Sequence, residues 1–262
     1  MQAVTRLARW LFGRREPEPE VLVVSYPKCG RTWLRALVGR CLCRQYGLSE
    51  AGLFKTLALS STAGLLPTKF VHDGAGGVAG IPWDELEREK SRFAGVKVAL
   101  LVRDPRDVVV SSYFQATRRL HAYAGSLPEF VRDACFGIRA IAAEYAAWEE
   151  GRQVPREFLL LRYEGLKRDP EVGLRSLLAF MGLALPLDAA VADAVEFGAF
   201  ENMRKLERSG GLSRKLQPGD PDDPESFKVR RGKVGGYVDY LTPDDIAYIE
   251  DVLTEQAHPF GY

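Results

Sequence analysis

Cysteine and histidine are scarce in this chain. Four cysteines (Cys29, Cys41, Cys43 and Cys135) stand among 262 residues, too few for a disulfide-stapled scaffold. Cys41 and Cys43 lie two apart in an apolar, helix-like stretch, which turns their side chains to different faces. The three histidines, His72, His121 and His258, are far apart, so no metal-ligand spacing emerges and no metal is expected. Reduced thiols in a cytoplasmic protein are the expectation. No apolar run approaches the roughly 20 residues that cross a bilayer, so no integral membrane association is expected. Charge of one sign is not in excess either: 36 Lys and Arg face 35 Asp and Glu, a net charge of +1. That balance argues against a polyanion coat, and no nucleic-acid partner is expected, although a sum says nothing about local patches.

What is present is an ordinary globular composition, 46% hydrophobic and 27% charged. Residues 1–20 form a basic, amphipathic N-terminal extension whose apolar run Trp10-Leu11-Phe12 is too short for a span or a secretion signal. A short helix packing on the domain is expected there, with a membrane-surface helix as the alternative. Glu16-Pro17-Glu18-Pro19-Glu20 then reads as a stiff spacer.

Four short apolar runs, 21–25, 68–72, 97–102 and 158–163, read as buried strands. Helical patterns lie between them at 32–46, 105–117, 127–151 and 170–181. Apolar strands alternating with helices predict an α/β fold: one domain over 21–262 with a central parallel sheet flanked by helices. Ligands bind such sheets where strands end and helices begin. Residues 209–236 lack periodicity, hold six of the chain's glycines and close on the basic cluster Lys228, Arg230, Arg231 and Lys233. The segment is expected to be a lid loop over an anion.

Two strand–turn–helix segments carry candidate chemistry. In Ser25-Tyr26-Pro27-Lys28-Cys29-Gly30-Arg31-Thr32-Trp33 the helix start offers unpaired N–H groups and the positive end of its dipole, which suits phosphate. Gly30 lets a ligand approach the backbone, Lys28 adds a mobile charge, and Arg31 and Thr32 add donors. Trp33 offers a surface for a base. The pattern G-x-x-x-x-G-K-[ST] is absent, because the lysine precedes the glycine. An ordinary strand–helix turn with a surface lysine stays open. In the second segment Arg103 ends a strand and Ser111 lies two turns into the following helix. A guanidinium fork with a hydroxyl suits a second phosphate; pairing of Arg103 with Asp104 or Asp107 as a mere helix cap is the alternative.

The run Tyr26 to Trp33 resembles the Y-P-K-x-G-T-T-W segment of the PAPS-dependent sulfotransferases, with Cys29 and Arg31 standing where that family has Ser and Thr. The resemblance implies a P-loop-like loop gripping the 5′-phosphosulfate of 3′-phosphoadenosine 5′-phosphosulfate (PAPS). The segment from Arg103 through Ser111 is similar to the family's R-[ND]-P-[KR]-D-x-x-x-S-x-Y, which implies that Arg103 and Ser111 hold the 3′-phosphate. His72 occupies the place of the family's general base. Lys69 faces the other side of its strand and is assigned no catalysis. Tyr163, in a segment resembling Y-E-D, and Phe200, in one resembling S-F-x-x-M, correspond to adenine contacts, with core aromatics as the plain alternative. Arg230-Arg231-Gly232-Lys233-Val234-Gly235 resembles the R-K-G-x-x-G lid over the 3′-phosphate, with Arg231 for Lys and Gly236-Tyr237 for D-W.

The resemblance runs from about Val21 to Leu253 and implies a sulfotransferase. It would move a sulfuryl group from PAPS to a hydroxyl or amine of a small-molecule or carbohydrate acceptor, releasing 3′,5′-ADP. Lys28 and His72 would be catalytic, with no metal. Lys28, Cys29, Gly30, Arg31, Thr32, Trp33, Arg103, Ser111, Tyr163, Phe200, Arg230, Arg231 and Gly232 would hold the co-substrate. The rivals are an ATP- and Mg²⁺-dependent P-loop kinase and a non-catalytic nucleotide-binding module. Loops 54–66, 74–83 and 117–126 are expected to line the acceptor pocket. Lys28, Arg31, Arg103, Arg106, Arg230, Arg231 and Lys233 are expected to converge on one polyanion.

Overall fold

A computed structural model describes residues 16–73, 80–210 and 216–262. The expected N-terminal helix falls mostly on 1–15, outside the described residues.

The sheet follows directly from the apolar runs. β1 (Val21–Ser25), β2 (Thr68–Val71), β3 (Lys97–Val102) and β4 (Glu157–Arg162) are all parallel, in the order β2-β1-β3-β4. Every residue of β3 is buried and β1 is nearly so, as two central strands covered on both faces must be. β4, at an edge, is half-buried over Phe158 to Leu160 and exposed at both ends. Because β1 pairs with β2 on one side and β3 on the other, successive connections leave β1 in opposite directions. That switch point opens a crevice beyond the carboxyl ends of the strands.

Among the described residues the helices are α1 (Arg31–Tyr46), α2 (Thr56–Thr62), α3 (Pro105–Phe114), α4 (Leu127–Arg132), α5 (Ile138–Glu150), α6 (Tyr163–Arg168), α7 (Pro170–Phe180), α8 (Asp188–Phe197), α9 (Phe200–Ser209) and α10 (Pro243–Glu255). α1 buries Leu34, Leu37, Val38, Cys41 and Leu42, a stripe at helical spacing. It packs on α8, where Arg40 donates to both oxygens of Asp193 at 2.5 and 3.0 Å.

Three expectations need correction. The helix predicted over 127–151 is broken: the Asp133 carboxylate accepts the N–H groups of Cys135 (2.8 Å) and Phe136 (2.9 Å), turning the chain between α4 and α5. A Cβ on Gly137 would lie 2.4 Å from the Asp133 carbonyl oxygen, so this tight turn requires glycine. Tyr163 opens α6 instead of ending β4. The helix predicted over 105–117 is α-helical only to Phe114 and then widens into a π-helical turn, Gln115–Arg119.

Candidate active site

The carboxyl ends of β1, β2 and β3, the start of α6 and the segment after α9 converge on one cavity of about 490 Å³. The loop leaving β1 carries two left-handed residues, Lys28 (φ 70°) and Gly30 (φ 95°). Strain of this kind at Lys28 costs on the order of 1–3 kcal/mol and persists where the surroundings enforce it. Gly30 caps α1 with no side chain, and the first turn of α1 has no acidic residue. Among the described residues its leading N–H groups therefore have neither a side-chain cap at Gly30 nor a carboxylate in the first turn. A Cβ on Gly30 would stand 2.7 Å from the Tyr163 ring, so glycine is required by conformation and by space.

Arg103 leaves β3 into the same cavity. Its guanidinium lies 4.4 Å from the Tyr163 ring centroid and donates to the carbonyls of Lys28 (3.3 Å) and Lys233 (3.1 Å). It also pairs with Asp107 at 3.3 Å. Its Nε is buried without a partner among the described residues, an orphan donor that an anion would satisfy. Ser111 lines the same wall. Trp33 donates its indole N–H to the Gly198 carbonyl (2.8 Å) and meets Tyr163 edge to face at 5.9 Å. The two rings and the Phe200 ring, which a Cβ on Gly232 would approach to 2.8 Å, make an aromatic end to the cavity.

The segment expected to be a lid is held by buried carboxylates. Glu207, on α9 and fully buried, accepts the backbone N–H groups of Lys228 (2.7 Å) and Val229 (2.8 Å) and pairs with Arg119 (3.2 Å). Asp107 accepts those of Gly235 (2.9 Å) and Tyr237 (3.0 Å). Between these anchors Arg230 packs 4.3 Å from the Phe114 ring centroid and pairs with Glu225 at 2.8 Å. Arg231 and Lys233 pair with Asp239 at 3.3 and 2.9 Å.

His72 follows β2. Its Nδ1 lies 2.8 Å from the Ser25 carbonyl oxygen; a carbonyl only accepts, so Nδ1 carries the proton and Nε2 is left with a free lone pair. Burial, then the charge of Arg31, pushes the imidazole pKa down to about 4, against the raising effect of the Ser25 contact. The ring is a neutral base across the physiological range. Lys28 donates to the Gln115 side-chain oxygen at 3.0 Å. Burial, with Lys228 and Arg119 nearby, pushes its ammonium down to about 7.

Of the residues expected to bind the co-substrate, Cys29 alone does not line the cavity. Its thiol is fully buried 3.3 Å from the Tyr145 hydroxyl, and burial pushes its pKa up to about 12. Arg106 likewise does not converge on the cavity: it pairs with Asp104 (2.8 Å) and Glu250 (2.7 Å). No residue of 54–66 lines it; from 117–126 Leu120 and Ala122 do. Of 74–83, residues 74–79 lie outside the described set. Lys69 is exposed and away from the cavity, as its strand parity implied. The sequence singled out Lys228 only as part of the basic cluster and gave no sign of Gln115, Lys167 and Glu207. Nothing local marks these three.

Comparisons with known proteins identify the family and the fold. The sulfotransferase domain family matches residues 85–261. Cytosolic sulfotransferase 17 of Arabidopsis thaliana is 27% identical over 93% of this chain and 75% of its own length. Flavonol 3-sulfotransferase of Flaveria bidentis is 25% identical over 92% of this chain and 83% of its own. Mouse sulfotransferase SULT7A1, solved in complex with PAP, shares the fold with a TM-score of 0.63 at 20% identity, over 94% of this chain and 86% of that one. Retinol dehydratase, solved with androsterone and the inactive cofactor PAP, gives 0.62 at 19%, over 92% and 82%. The chain belongs to the sulfotransferase family.

Proposed function

We propose that this protein transfers a sulfuryl group from PAPS to an acceptor hydroxyl. The observation that carries the reading is the shared cavity: among the described residues that line it, eight are Lys or Arg and one, Asp107, is acidic. The uncapped start of α1, the cradle at Gly30 and the orphan Nε of Arg103 all fit a phosphate-rich ligand. Lys28 and the leading amides of α1, Gly30 through Trp33, hold the phosphosulfate. Arg103, Ser111, Arg230, Arg231 and Gly232 hold the 3′-phosphate, and Trp33, Tyr163 and Phe200 enclose the base.

The residues' parts follow from their protonation. His72 accepts the acceptor's hydroxyl proton at Nε2, while the Ser25 carbonyl fixes its tautomer. Lys28 leaves Gln115 to neutralise charge growing on the bridging oxygen. Positioning and charge stabilisation do most of the work in such in-line transfers. A cytosolic site of action belongs to the same proposal, supported by four free cysteines and by the names of the Arabidopsis relatives. Among the described residues no helix is long and apolar enough to cross a membrane.

The test is transfer of label from [³⁵S]PAPS to a panel of phenols, alcohols, amines and saccharides. Labelled product with stoichiometric 3′,5′-ADP is expected. Tight 3′,5′-ADP binding with no transfer to any acceptor would make the protein a nucleotide-binding module, and a preference for Mg·ATP would make it a kinase.

A further inference from the structure

The backbone of Arg103 falls between sheet and helix. Val102 is the last residue of β3 paired with a neighbouring strand, and the Asp104 carbonyl accepts the opening bond of α3, from the Val108 N–H at 3.0 Å. The Tyr145 hydroxyl, reaching across from α5, takes both peptide groups left over: it accepts the Arg103 N–H at 3.0 Å and donates to the Arg103 carbonyl at 2.9 Å. The two peptide planes flanking the Arg103 Cα are thereby fixed, and with them the direction in which its side chain leaves. Glu164 accepts the Asp104 N–H at 2.9 Å, on the same peptide unit as the Arg103 carbonyl. The neighbours of Tyr145 on α5 are small: Ala142, Ala143, Ala146 and Ala147 are all buried, so the helix lies close enough to the sheet for a phenol to reach the strand end.

The same hydroxyl has a further contact, the Cys29 thiol at 3.3 Å. A tyrosine hydroxyl carries one proton and two lone pairs. The proton goes to the Arg103 carbonyl and one lone pair takes the Arg103 N–H, so the thiol donates to the other. Burial, which pushes the thiol pKa up to about 12, keeps that proton on sulfur. The Pro27 carbonyl, 3.9 Å from the sulfur, is the longer and weaker contact. Tyr145 is 1% exposed and Cys29 fully buried, and every bonding position of the hydroxyl is used. Cys29 sits in the β1–α1 turn between left-handed Lys28 and Gly30. One buried oxygen thus ties the turn to the arginine at the end of the adjacent strand.

We infer that Tyr145 is a positioning residue whose hydroxyl sets the spacing between the two phosphate sites, by locking the Arg103 backbone against the β1–α1 turn. This rests on the sulfotransferase reading, which gives the turn to the phosphosulfate and Arg103 to the 3′-phosphate. Tyr145 does not line the cavity, so it acts on a ligand only through Arg103 and Cys29. The guanidinium is held by longer contacts, 3.3 Å to the Lys28 carbonyl and 3.1 Å to the Lys233 carbonyl, and its Nε has no partner among the described residues. The backbone lock therefore defines where the fork points before a ligand arrives. A ligand that spans both sites feels a change in their spacing, and a ligand that fills one site does not.

The experiment is calorimetry on the full chain with 3′,5′-ADP, which spans both sites, and with 5′-ADP, which fills one. Tyr145→Phe should weaken 3′,5′-ADP about ten-fold, the effect of buried backbone groups losing their partner, and 5′-ADP by less than about two-fold. In turnover the loss should appear as a higher KM for PAPS, with kcat within about two-fold. In an Arg103→Ala background the same substitution should change 3′,5′-ADP affinity by less than about two-fold, because nothing is left to position. Cys29→Ala, which spares the bonds to Arg103, should lower the preference for 3′,5′-ADP in the same direction but less, and Cys29→Ser, which keeps a donor, should retain it. That pair decides the matter if Tyr145→Phe does not fold. An unchanged preference in Tyr145→Phe would overturn the inference, and an unchanged preference in Cys29→Ala would overturn the tie to the turn. So would equal weakening of both ligands in step with thermal stability, or a ten-fold loss that persists without Arg103, since Tyr145 would then be core packing alone. A wild-type protein that does not prefer 3′,5′-ADP to 5′-ADP would overturn the sulfotransferase reading itself.

Discussion

The two halves of the cavity are built by different means. The β1–α1 turn with Arg103 is made locally: a buried strand ends, the chain reverses through left-handed Lys28 and Gly30, and a helix begins. The lid from Lys228 to Tyr237 has no repeating backbone ladder. It is hung from Glu207 and Asp107, carboxylates that lie 21 and 128 residues away in sequence from the amides they hold. The proposed phosphate cradle can thus be encoded in one short segment, whereas the segment facing it depends on buried acids elsewhere in the fold.

The largest expected effect breaks the chemistry shared by both halves. Lys28→Ala and His72→Ala should each lower kcat by roughly 100-fold or more, the usual range for electrostatic and acid–base groups. Steady-state turnover of [³⁵S]PAPS reads this, and near-wild-type rates in both would sink the mechanism.

The second prediction bears on the lid alone. Asp107→Ala removes the acceptor for two backbone N–H groups and the partner of Arg103. Breaking a buried pair of this kind costs about 3–5 kcal/mol, so denaturant stability should fall. Affinity for 3′,5′-ADP should drop about ten-fold or more, the value of a lost charge-assisted contact. Unchanged affinity would mean the lid is held by other contacts.

pH separates the two catalytic groups. In the proposed mechanism His72 works unprotonated and is held near about 4, so activity should be lost as pH falls through about 4. In the same mechanism Lys28 works protonated and is held near about 7, so activity should be lost as pH rises through about 7. kcat/KM, which reports the free enzyme, should be bell-shaped between these limits. In kcat both limbs should move upward, because a bound polyanion favours the protonated form of each group. Limbs that fail to move would place the polyanion elsewhere.

The smallest effect is expected at Arg106, which shares the second motif but faces away from the cavity. Arg106→Ala removes pairs to Asp104 and Glu250, and 3′,5′-ADP affinity should change by less than about two-fold, with stability falling about 1 kcal/mol or less.

This contrast also explains what the amino-acid order revealed. β1 and β3 were legible because burial on both faces leaves continuous apolar runs. The helix break at Asp133 to Gly137 was not, because an aspartate capping its own turn looks like any polar residue inside a helical pattern. In the site, Lys28, Arg31, Arg103 and the lid arginines stood out as basic residues at strand ends and in a glycine-rich loop. Cys29 fell in the same motif, but its inward direction is set by Tyr145, 116 residues away. Lys167 and Glu207 reach the site only through helix packing, which no local spacing records.

The central claim is that cradle and lid together grip a nucleotide bearing two separated phosphate groups. Isothermal titration with 3′,5′-ADP and with 5′-ADP tests it most directly. The account predicts that 3′,5′-ADP binds at least about ten-fold more tightly, since only its 3′-phosphate engages Arg103 and the lid; equal affinities, or tighter binding of 5′-ADP, would contradict it.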